Sequence, residues 1–311
     1  MYKVPILLLI FNRPDNTARV LAEIKKIKPS RLFIAADGPR ADRPGELEKC
    51  LATRKIVEDG IDWDCEVQKN YSDKNEGLGV GLYKKISWFF DNVEEGIVLE
   101  DDCIAHQSFF GYCEVLLEKY RNEAKVMMIS GDNFQNGVKR GAASYYFSRY
   151  NHAWGWASWK RAWQTIEFQE NNFLAYVDKN VLANIWPEKI VQKYWLDKYK
   201  NPCWDHQWTY AIWRQNGIAC LPNVNLISNI GFGSESSHTF FKHKSMMSIP
   251  TQAIHFPLIH PTLLVADVNA DKYENKHVFK IVLWRIWLLK FFKKTGIFKL
   301  IKFLYLKFLA K

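Results

Sequence analysis

Short apolar runs alternate with amphipathic stretches over the first 130 residues of the chain. The apolar runs have the length of buried strands, and the stretches between them show helical periodicity. The predicted strands are residues 4–11, 31–36, 63–68, 96–100 and 125–130, and the predicted helices are residues 14–26, 44–58, 79–91 and 107–121. Strands that alternate with crossover helices form a mostly parallel sheet flanked by helices, so the pattern predicts an α/β fold.

Polar clusters follow four of these strands, at the point where each strand ends. They are Asn12-Arg13, Asp37-Gly38, residues 70–77 and Glu100-Asp101-Asp102. The carboxyl ends of parallel strands lie at one edge of a sheet, and the ligands of such sheets bind beyond that edge. We therefore expect these polar side chains to line a single binding site.

The triplet Glu100-Asp101-Asp102 is the most informative of the four clusters. Three adjacent carboxylates at the end of an apolar strand repel one another and resist desolvation. Carboxylate oxygens are the hard ligands that suit Mg²⁺ and Mn²⁺, so the triplet is a candidate metal site. Taken alone, an acidic turn that caps the following helix through Asp102 explains the triplet equally well.

The other clusters also have simpler explanations. Asn12-Arg13-Pro14 has the composition of a helix start, and Asp37-Gly38-Pro39 has that of a turn. Residues 75–79 lack the Lys-Ser/Thr ending of a phosphate-binding loop, so a plain helix start suits them better. It is the common position of the clusters at strand ends that favours a site.

In this order, the segments resemble those of the GT-A glycosyltransferases, and more narrowly those of the N-acetylglucosaminyltransferase I family and its bacterial family-2-like relatives. The likeness covers about residues 4–240. Its further segments are Phe109-Phe110, Gly155-Trp156, Trp204-Asp205 and the loop from Gly233 to Thr239 with Ser237-His238. The resemblance implies a GT-A fold. It also implies transfer of a hexose or N-acetylhexosamine from a UDP-linked nucleotide sugar to a glycan hydroxyl, as in the synthesis of cell-surface polysaccharides.

The resemblance also implies a role for each matched residue. Asp102 would be the direct ligand of Mn²⁺ or Mg²⁺, and Asp205 would be the general base. The implied donor-binding residues are Arg13 at the phosphates, Asp37 at the nucleobase, Glu100 and Asp101 at the sugar and ribose, and Trp156, Trp204 and His238 around them.

Elementary chemistry supports a cation, an arginine and one base in such a site. The leaving nucleoside diphosphate gains negative charge, which a divalent cation and an arginine stabilise. The acceptor hydroxyl needs a carboxylate to take its proton, and a single base suffices for direct displacement with inversion. Asp205 is also placed to cap a helix whose Trp side chains pack in the core. His206 stands where the family has a second acid, which leaves its role open.

Two other functions are compatible with parts of the sequence. A sugar-phosphate nucleotidyltransferase shares the nucleotide-binding half, but no Gly-rich loop with a trailing Arg/Lys pair follows the first strand. A non-catalytic, membrane-associated protein would use its aromatic side chains, which include 13 Trp, to bind glycan. Metal-dependent turnover of a nucleotide sugar distinguishes the glycosyltransferase from both.

Nine of the ten net positive charges lie in the C-terminal tail, residues 277–311. Nine of the 43 Lys and Arg residues lie there together with no acid, so residues 1–276 carry 34 bases against 33 acids. A nearly neutral body argues against nucleic acid as a partner. Bases interrupt the apolar runs of the tail too often for a spanning helix, and the mixture favours contact with an anionic membrane surface. A helical hairpin on the catalytic domain and a protein interface are the alternatives.

We divide the chain into a catalytic domain, residues 1–250, a linker, residues 251–276, and the tail. Within the catalytic domain, residues 1–131 would bind the nucleotide sugar, and residues 132–250 would supply the acceptor site and a lid. Six scattered cysteines predict reduced thiols, and the N-terminal run lacks the features of a secretion signal. We therefore expect a cytoplasmic protein that is peripheral on the inner face of the membrane.

Overall fold

The computed structural model of the chain describes residues 1–231 and 248–281. The strands in these ranges are β1 Ile6–Ile10, β2 Arg31–Ala36, β3 Glu66–Tyr71, β4 Glu95–Glu100, β5 Cys103–Ala105, β6 Val126–Ser130, β7 Tyr145–Ser148, β8 Trp156–Trp159, β9 Ile218–Pro222 and β10 Ile227–Asn229. The helices are α1 Pro14–Ile27, α2 Glu46–Gly60, α3 Leu82–Asn92, α4 Gln107–Tyr120, α5 Lys160–Trp163, α6 Phe173–Tyr176, α7 Lys179–Ile185, α8 Lys189–Lys198, α9 Trp204–Arg214 and α10 Val268–His277, and a π-helical turn spans Gly77–Gly81 before α3.

Eight of the described strands form a central sheet in the order β3-β2-β1-β4-β8-β6-β9-β7. The first four strands of this order are parallel to one another. β8 is antiparallel to both of its neighbours, so β6 and β9 return to the direction of the first four, and β7 opposes them. Six of the eight strands thus share one direction. The predicted α/β fold with a mostly parallel sheet flanked by helices is confirmed.

The strands carry apolar side chains on both faces, which is why helices cover the sheet on both sides. In β1, Leu7 and Leu9 belong to one apolar cluster, whereas Ile6, Leu8 and Ile10 belong to the other. This alternation follows from the period of two along a strand. Buried on both faces, the strands hold the residues at their carboxyl ends in fixed positions.

Two predicted elements start three residues away from the observed ones, and the bounds of the other predicted elements differ by two residues or fewer. β3 covers Glu66–Tyr71 instead of residues 63–68. It is the edge strand and only partly buried, so its apolar pattern marks its ends poorly. The helix predicted from residue 79 begins as the π-helical turn at Gly77, and α3 follows it.

Residues 251–276, predicted to be a linker, pack against the body of the protein. α10 buries Ala270, Asp271 and Glu274, and the hydroxyl of Ser148 at the end of β7 donates a hydrogen bond of 2.6 Å to Asp271. Asp267 caps the helix by accepting hydrogen bonds from two backbone N–H groups of its first turn. The segment is therefore part of the folded domain, because its polar side chains find buried partners there.

The six cysteines all lie in the described ranges, and no disulfide joins any two of them. In the same ranges, no helix has both the length and the apolar character needed to cross a bilayer. His238 and its loop lie outside the described residues, as does the tail beyond residue 281.

Candidate functional site

The carboxyl ends of β2, β1 and β4 are neighbours in the sheet and open into one cavity of about 640 Å³, which we call the edge cleft. The structure brings together five of the predicted site residues here. They are Arg13, Asp37, Glu100, Asp101 and Asp102. Each lies at the end of its strand or just beyond it, so the strand order itself places them side by side.

Arg13 connects the end of β1 to the acidic triplet. Its Nη1 lies 2.5 Å from Oδ2 of Asp102 and 3.3 Å from Oδ1 of Asp101. The backbone N–H of Phe11 donates a further hydrogen bond of 3.0 Å to Asp101. One guanidinium therefore balances two carboxylates that point into the same cleft.

The three acids differ in their surroundings. Burial, followed by the charge of Asp102, raises the pKa of Asp101 to about 7. Burial also raises the pKa of Glu100 well above its usual range, and the charges of Asp102, Asp101 and Asp205 add to this effect. Arg13 is the only cation that pairs with the triplet among the described side chains.

The segment after β10 packs directly on Asp102. Asn229 donates a hydrogen bond of 3.2 Å from its side-chain nitrogen to Oδ1 of Asp102, and it accepts one of 2.9 Å from the backbone of Gly231. A Cβ on Gly231 would lie 2.0 Å from Oδ2 of Asp102, so only glycine fits this position. The approach of residues 229–231 fixes the orientation of the Asp102 carboxylate.

The side chains around Asp102 supply only some of the ligands that a divalent cation needs. The described residues contain no group of three or more His, Cys, Asp or Glu side chains placed to hold a metal ion. Both oxygens of Asp102 already accept hydrogen bonds, from Arg13 and from Asn229. Mg²⁺ is usually held by one or two carboxylates together with substrate phosphates and water. The residues present therefore fit a cation that is held partly by the protein and partly by a bound diphosphate. They do not fit a cation held by protein ligands alone.

Asp37 organises one wall of the edge cleft. Its carboxylate accepts hydrogen bonds of 3.0–3.2 Å from the backbone of Glu76 and Gly77 and from the side chain of Asn75. The ammonium of Lys85, whose side chain is 2% exposed, lies 3.5 Å from the same carboxylate. Asp37 thus holds the turn that precedes α3, and contact with a nucleobase remains a prediction for it.

The sequence reasoning missed several residues that line the edge cleft. Among them are Phe11, Arg40, Leu78, Gly79, Trp154, Cys203, Asn229 and Gly231; Asn75 and Gly77, which belong to the predicted cluster at residues 70–77, also line the cleft. Gly77 has φ of +80°, a conformation that favours glycine, and a Cβ at Gly79 would meet no atom within 4 Å. Gly77 and Gly79 were the available signal, because glycine at these two positions leaves the backbone of the π-helical turn open to the cleft.

The predicted roles of Trp156 and Trp204 need correction. Trp156 is 1% exposed and Trp204 is 4% exposed, and their rings stack in the core with centroids 6.0 Å apart. Trp156 is the first residue of β8, a strand buried at every position, so it faces apolar neighbours. Trp154, two residues earlier, lines the edge cleft instead.

Asp205 lies in a second cavity, next to the edge cleft. We call this cavity, of about 310 Å³, the aromatic pocket; its lining includes Asp132, Phe134, Trp154, Tyr194, Trp195 and Asp205. Trp154 lines both cavities, so the two are adjacent. The charge of Asp205 contributes to the raised pKa of Glu100, a residue of the edge cleft.

Asp205 is not the N-cap of α9. Cys203 occupies that position and forms a capping box with His206, whose Nδ1 accepts a hydrogen bond of 3.2 Å from the Cys203 backbone. One carboxylate oxygen of Asp205 accepts a hydrogen bond of 2.9 Å from the His206 backbone. Because its Nδ1 is an acceptor, neutral His206 carries its proton on Nε2 and presents a donor there, not a base.

No protein-family model matches the sequence, and no curated protein matches it. Solved structures with a similar course of the backbone include mouse xyloside xylosyltransferase 1 in its apo form, 13% identical, with a TM-score of 0.34 over 68% of this chain and 81% of that one. A cytidylyltransferase from Leptospira borgpetersenii is 11% identical, with a TM-score of 0.34 over 62% of this chain and 71% of that one. The 4-diphosphocytidyl-2C-methyl-D-erythritol synthase from Anaerococcus prevotii is 12% identical, with a TM-score of 0.31 over 54% and 80%. At these TM-scores the likeness does not assign the chain to a family.

Proposed function

We propose that the protein is a metal-dependent, inverting glycosyltransferase of the GT-A type. It would transfer a hexose or N-acetylhexosamine from a UDP-linked sugar to a glycan hydroxyl. One observation carries the proposal. At the carboxyl edge of the sheet, a cleft lined by Arg13 and three carboxylates adjoins a separate pocket that holds Asp205.

Arg13 is the residue best placed to receive the donor diphosphate. It comes from the end of β1, and its guanidinium already lies among acids at the base of the edge cleft. A diphosphate would compete with Asp101 and Asp102 for its N–H groups. When bound through Asp102, a divalent cation would neutralise charge on the leaving diphosphate. Arg13 and Asp102 would then exchange their mutual contact for contacts to the donor complex.

Asp205 is the proposed general base for the transfer step. It would accept the proton of the acceptor hydroxyl as the acceptor oxygen forms its bond to the anomeric carbon. The bond between that carbon and the phosphate oxygen breaks, and the nucleoside diphosphate leaves with the electron pair. Because Asp205 lines the aromatic pocket and not the edge cleft, the acceptor would approach from the side of the aromatic pocket. Attack on the face away from the leaving group gives inversion.

The decisive experiment is a screen of UDP-, GDP-, CMP- and dTDP-sugars for hydrolysis in the presence of Mn²⁺, Mg²⁺ or EDTA. We expect metal-dependent release of UDP from one donor, and its loss in Asp102→Ala. Asp91→Ala is the matched control, since Asp91 is exposed on α3 near the opposite edge of the sheet. Absence of turnover with every donor would overturn the proposal. Release of pyrophosphate from a nucleoside triphosphate and a sugar phosphate would identify a nucleotidyltransferase instead.

Contact of the tail with an anionic membrane is a separate part of the proposal. It rests on the nine bases and no acids of residues 277–311 and on the aromatic residues between them. A protein held at the inner face of the membrane would meet lipid-linked glycans as acceptors.

A further inference from the structure

We propose that the aromatic pocket binds the terminal sugar ring of the acceptor, and that Asp132 exchanges a hydrogen bond with a hydroxyl of that ring. This inference rests on the proposed function and names the kind of acceptor that the same site takes. It assigns a binding role to a buried acid at the end of β6, which the transfer step itself does not use.

The position of the pocket along the sheet edge is the first observation. β6 ends at Ser130, and Asp132 follows it at the same edge as Arg13 and Glu100. Only β8 separates β4 from β6, so the ends of the two strands are about 10 Å apart, two strand spacings. Donor and acceptor sites in one enzyme must lie within such a distance for their reacting atoms to meet.

The size and walls of the pocket are the second observation. Its volume of about 310 Å³ is half that of the edge cleft, at the lower end of the range for small-molecule sites. Tyr194, Trp195 and Trp154 contribute aromatic walls, and Asp205 contributes a carboxylate. Flat rings offer an apolar surface to the C–H face of a pyranose, while carboxylates bind its hydroxyl groups. The combination suits one sugar ring better than a nucleotide or an extended peptide.

The hydrogen bonding of Asp132 is the third and most specific observation. Its side chain is fully buried, and Oδ2 accepts a hydrogen bond of 3.1 Å from the backbone of Trp154. Its Oδ1 has no hydrogen-bond partner among the described residues. Buried polar atoms are seldom left unpaired, so a ligand group is expected at this oxygen. A sugar hydroxyl both donates and accepts, and therefore satisfies Oδ1 whether the carboxyl group is charged or neutral.

The surroundings of Asp132 keep it in place. Asp132 lies two residues after Ser130, whose hydroxyl donates a hydrogen bond of 2.7 Å to the carbonyl of His152. His152 in turn pairs with the buried Glu274 of α10 at 2.9 Å, and its ring packs edge-on against Phe134. These contacts fix the floor of the pocket from behind. Asp132 thus lies on a rigid support, as expected for a residue that sets the orientation of a bound ring.

Direct binding of simple sugars to the full-length protein tests the inference without any donor. The probes are the methyl pyranosides of glucose, galactose, mannose and N-acetylglucosamine, observed by saturation-transfer NMR. We expect at least one to bind the wild type, and to bind at least tenfold more weakly to Asp132→Asn and Tyr194→Ala. Tyr176→Ala is the matched control, a partly buried tyrosine outside the aromatic pocket, and should bind like the wild type.

Enzyme kinetics provide the second readout. With the best sugar as acceptor, Asp132→Asn and Tyr194→Ala should raise the KM for acceptor at least tenfold, while Tyr176→Ala keeps the wild-type KM. Circular dichroism checks the fold, and Tyr194→Ala carries the test if Asp132→Asn does not fold. Failure of all four pyranosides to bind, or equal binding by wild type and both variants, would overturn the inference. Pocket-dependent sugar binding without turnover of any donor would contradict only the proposed function.

Discussion

The guanidinium of Arg13 lies 2.5 Å from a carboxylate oxygen of Asp102, so the ends of β1 and β4 form an ion pair across the base of the edge cleft. In the proposed enzyme, one partner would bind the phosphates of the donor and the other the cation. Binding of the phosphates to Arg13 and binding of the cation to Asp102 would each break the ion pair between these two residues. The pairing therefore predicts that cation and nucleotide bind together and not independently.

Binding of UDP and of Mn²⁺ should be coupled through Asp102. In the wild type we expect Mn²⁺ to tighten UDP binding by about 5- to 150-fold, the usual range of coupling between two ligands. Asp102→Ala should abolish the coupling, because it removes the carboxylate that the cation would use. Isothermal titration of UDP with and without Mn²⁺ measures it, with Asp91→Ala as the control. Full coupling in Asp102→Ala would exclude Asp102 as the ligand.

Asp205→Asn should separate donor binding from transfer. The amide keeps the shape and the hydrogen bond to the His206 backbone but cannot take a proton. We expect unchanged affinity for UDP and a loss of transfer of about 10²-fold or more. Rates with a sugar acceptor and UDP titrations measure the two quantities. Asp197→Asn, on the exposed side of α8, is the control. An equal loss of both quantities would make Asp205 a structural residue.

The strands that build the site could be predicted from the sequence because they are buried on both faces. β1, β2 and β4 are short apolar runs, and the charged residues that end them stand out for that reason. Parallel order then brings Arg13, Asp37 and the triplet to one edge. Local sequence patterns and strand topology are therefore sufficient to predict the strands and the charged residues at their ends.

The rest of the site depends on tertiary contacts that no local pattern encodes. Trp154 and Trp156 are two residues apart, and only the pairing of β8 with β4 and β6 buries the second and leaves the first in the cleft. Asn229 and Gly231 reach Asp102 from more than 120 residues away along the chain. The sequence predicts a linker where α10 lies, because the partners of its buried side chains, such as Ser148 at the end of β7, cannot be inferred from its polar sequence.

Gly231→Ala should disturb Asp102 without touching its chemistry. The added methyl would lie 2.0 Å from Oδ2 of Asp102, so the carboxylate or the backbone of residues 229–231 has to move. We expect a loss of about 1–3 kcal/mol in the free energy of unfolding, as for overpacked sites, measured by urea denaturation. Metal-coupled UDP binding should weaken as well. Gly79→Ala, whose methyl meets no atom within 4 Å, is the control for stability alone. Wild-type stability and wild-type UDP binding in Gly231→Ala would refute the close contact.

The turn that Asp37 organises should weaken in acid through Glu76. Hydrogen bonds from Lys84 and then Lys85 lower the pKa of Glu76 to about 2, from 4.5. A group whose pKa is lowered in the folded state stabilises the protein above pH 4.5. This stabilisation is lost as the pH falls towards 2. The side chain of Glu76 is 30% exposed, so after screening we expect about 1–2 kcal/mol.

Glu76→Gln tests this pH dependence. At pH 7 the variant should be less stable than the wild type by that amount, and the difference should shrink as the pH is lowered from 5 to 3. Urea denaturation at each pH provides the measurement. Glu114→Gln, at an exposed position of α4, should show no such trend. A difference that stays constant with pH would show that the loss comes from packing and not from the charge of Glu76.

The tail should carry the attachment to membranes, and the structure decides where to truncate it. Phe279 packs on Tyr150 with ring centroids 4.5 Å apart and lines the aromatic pocket, so residues 277–281 belong to the body. Deletion of residues 282–311 leaves them in place and removes eight of the nine bases of the tail. Each base near an anionic surface contributes about 1 kcal/mol, so the full chain should float with vesicles containing phosphatidylserine at moderate salt. The truncated protein should remain in the soluble fraction while it still hydrolyses donor, and neither protein should float with neutral phosphatidylcholine vesicles. Undiminished flotation of the truncated protein would show that the body, and not the tail, binds the membrane. Electrostatic attraction would then explain little of the binding, because the body carries nearly equal numbers of acids and bases.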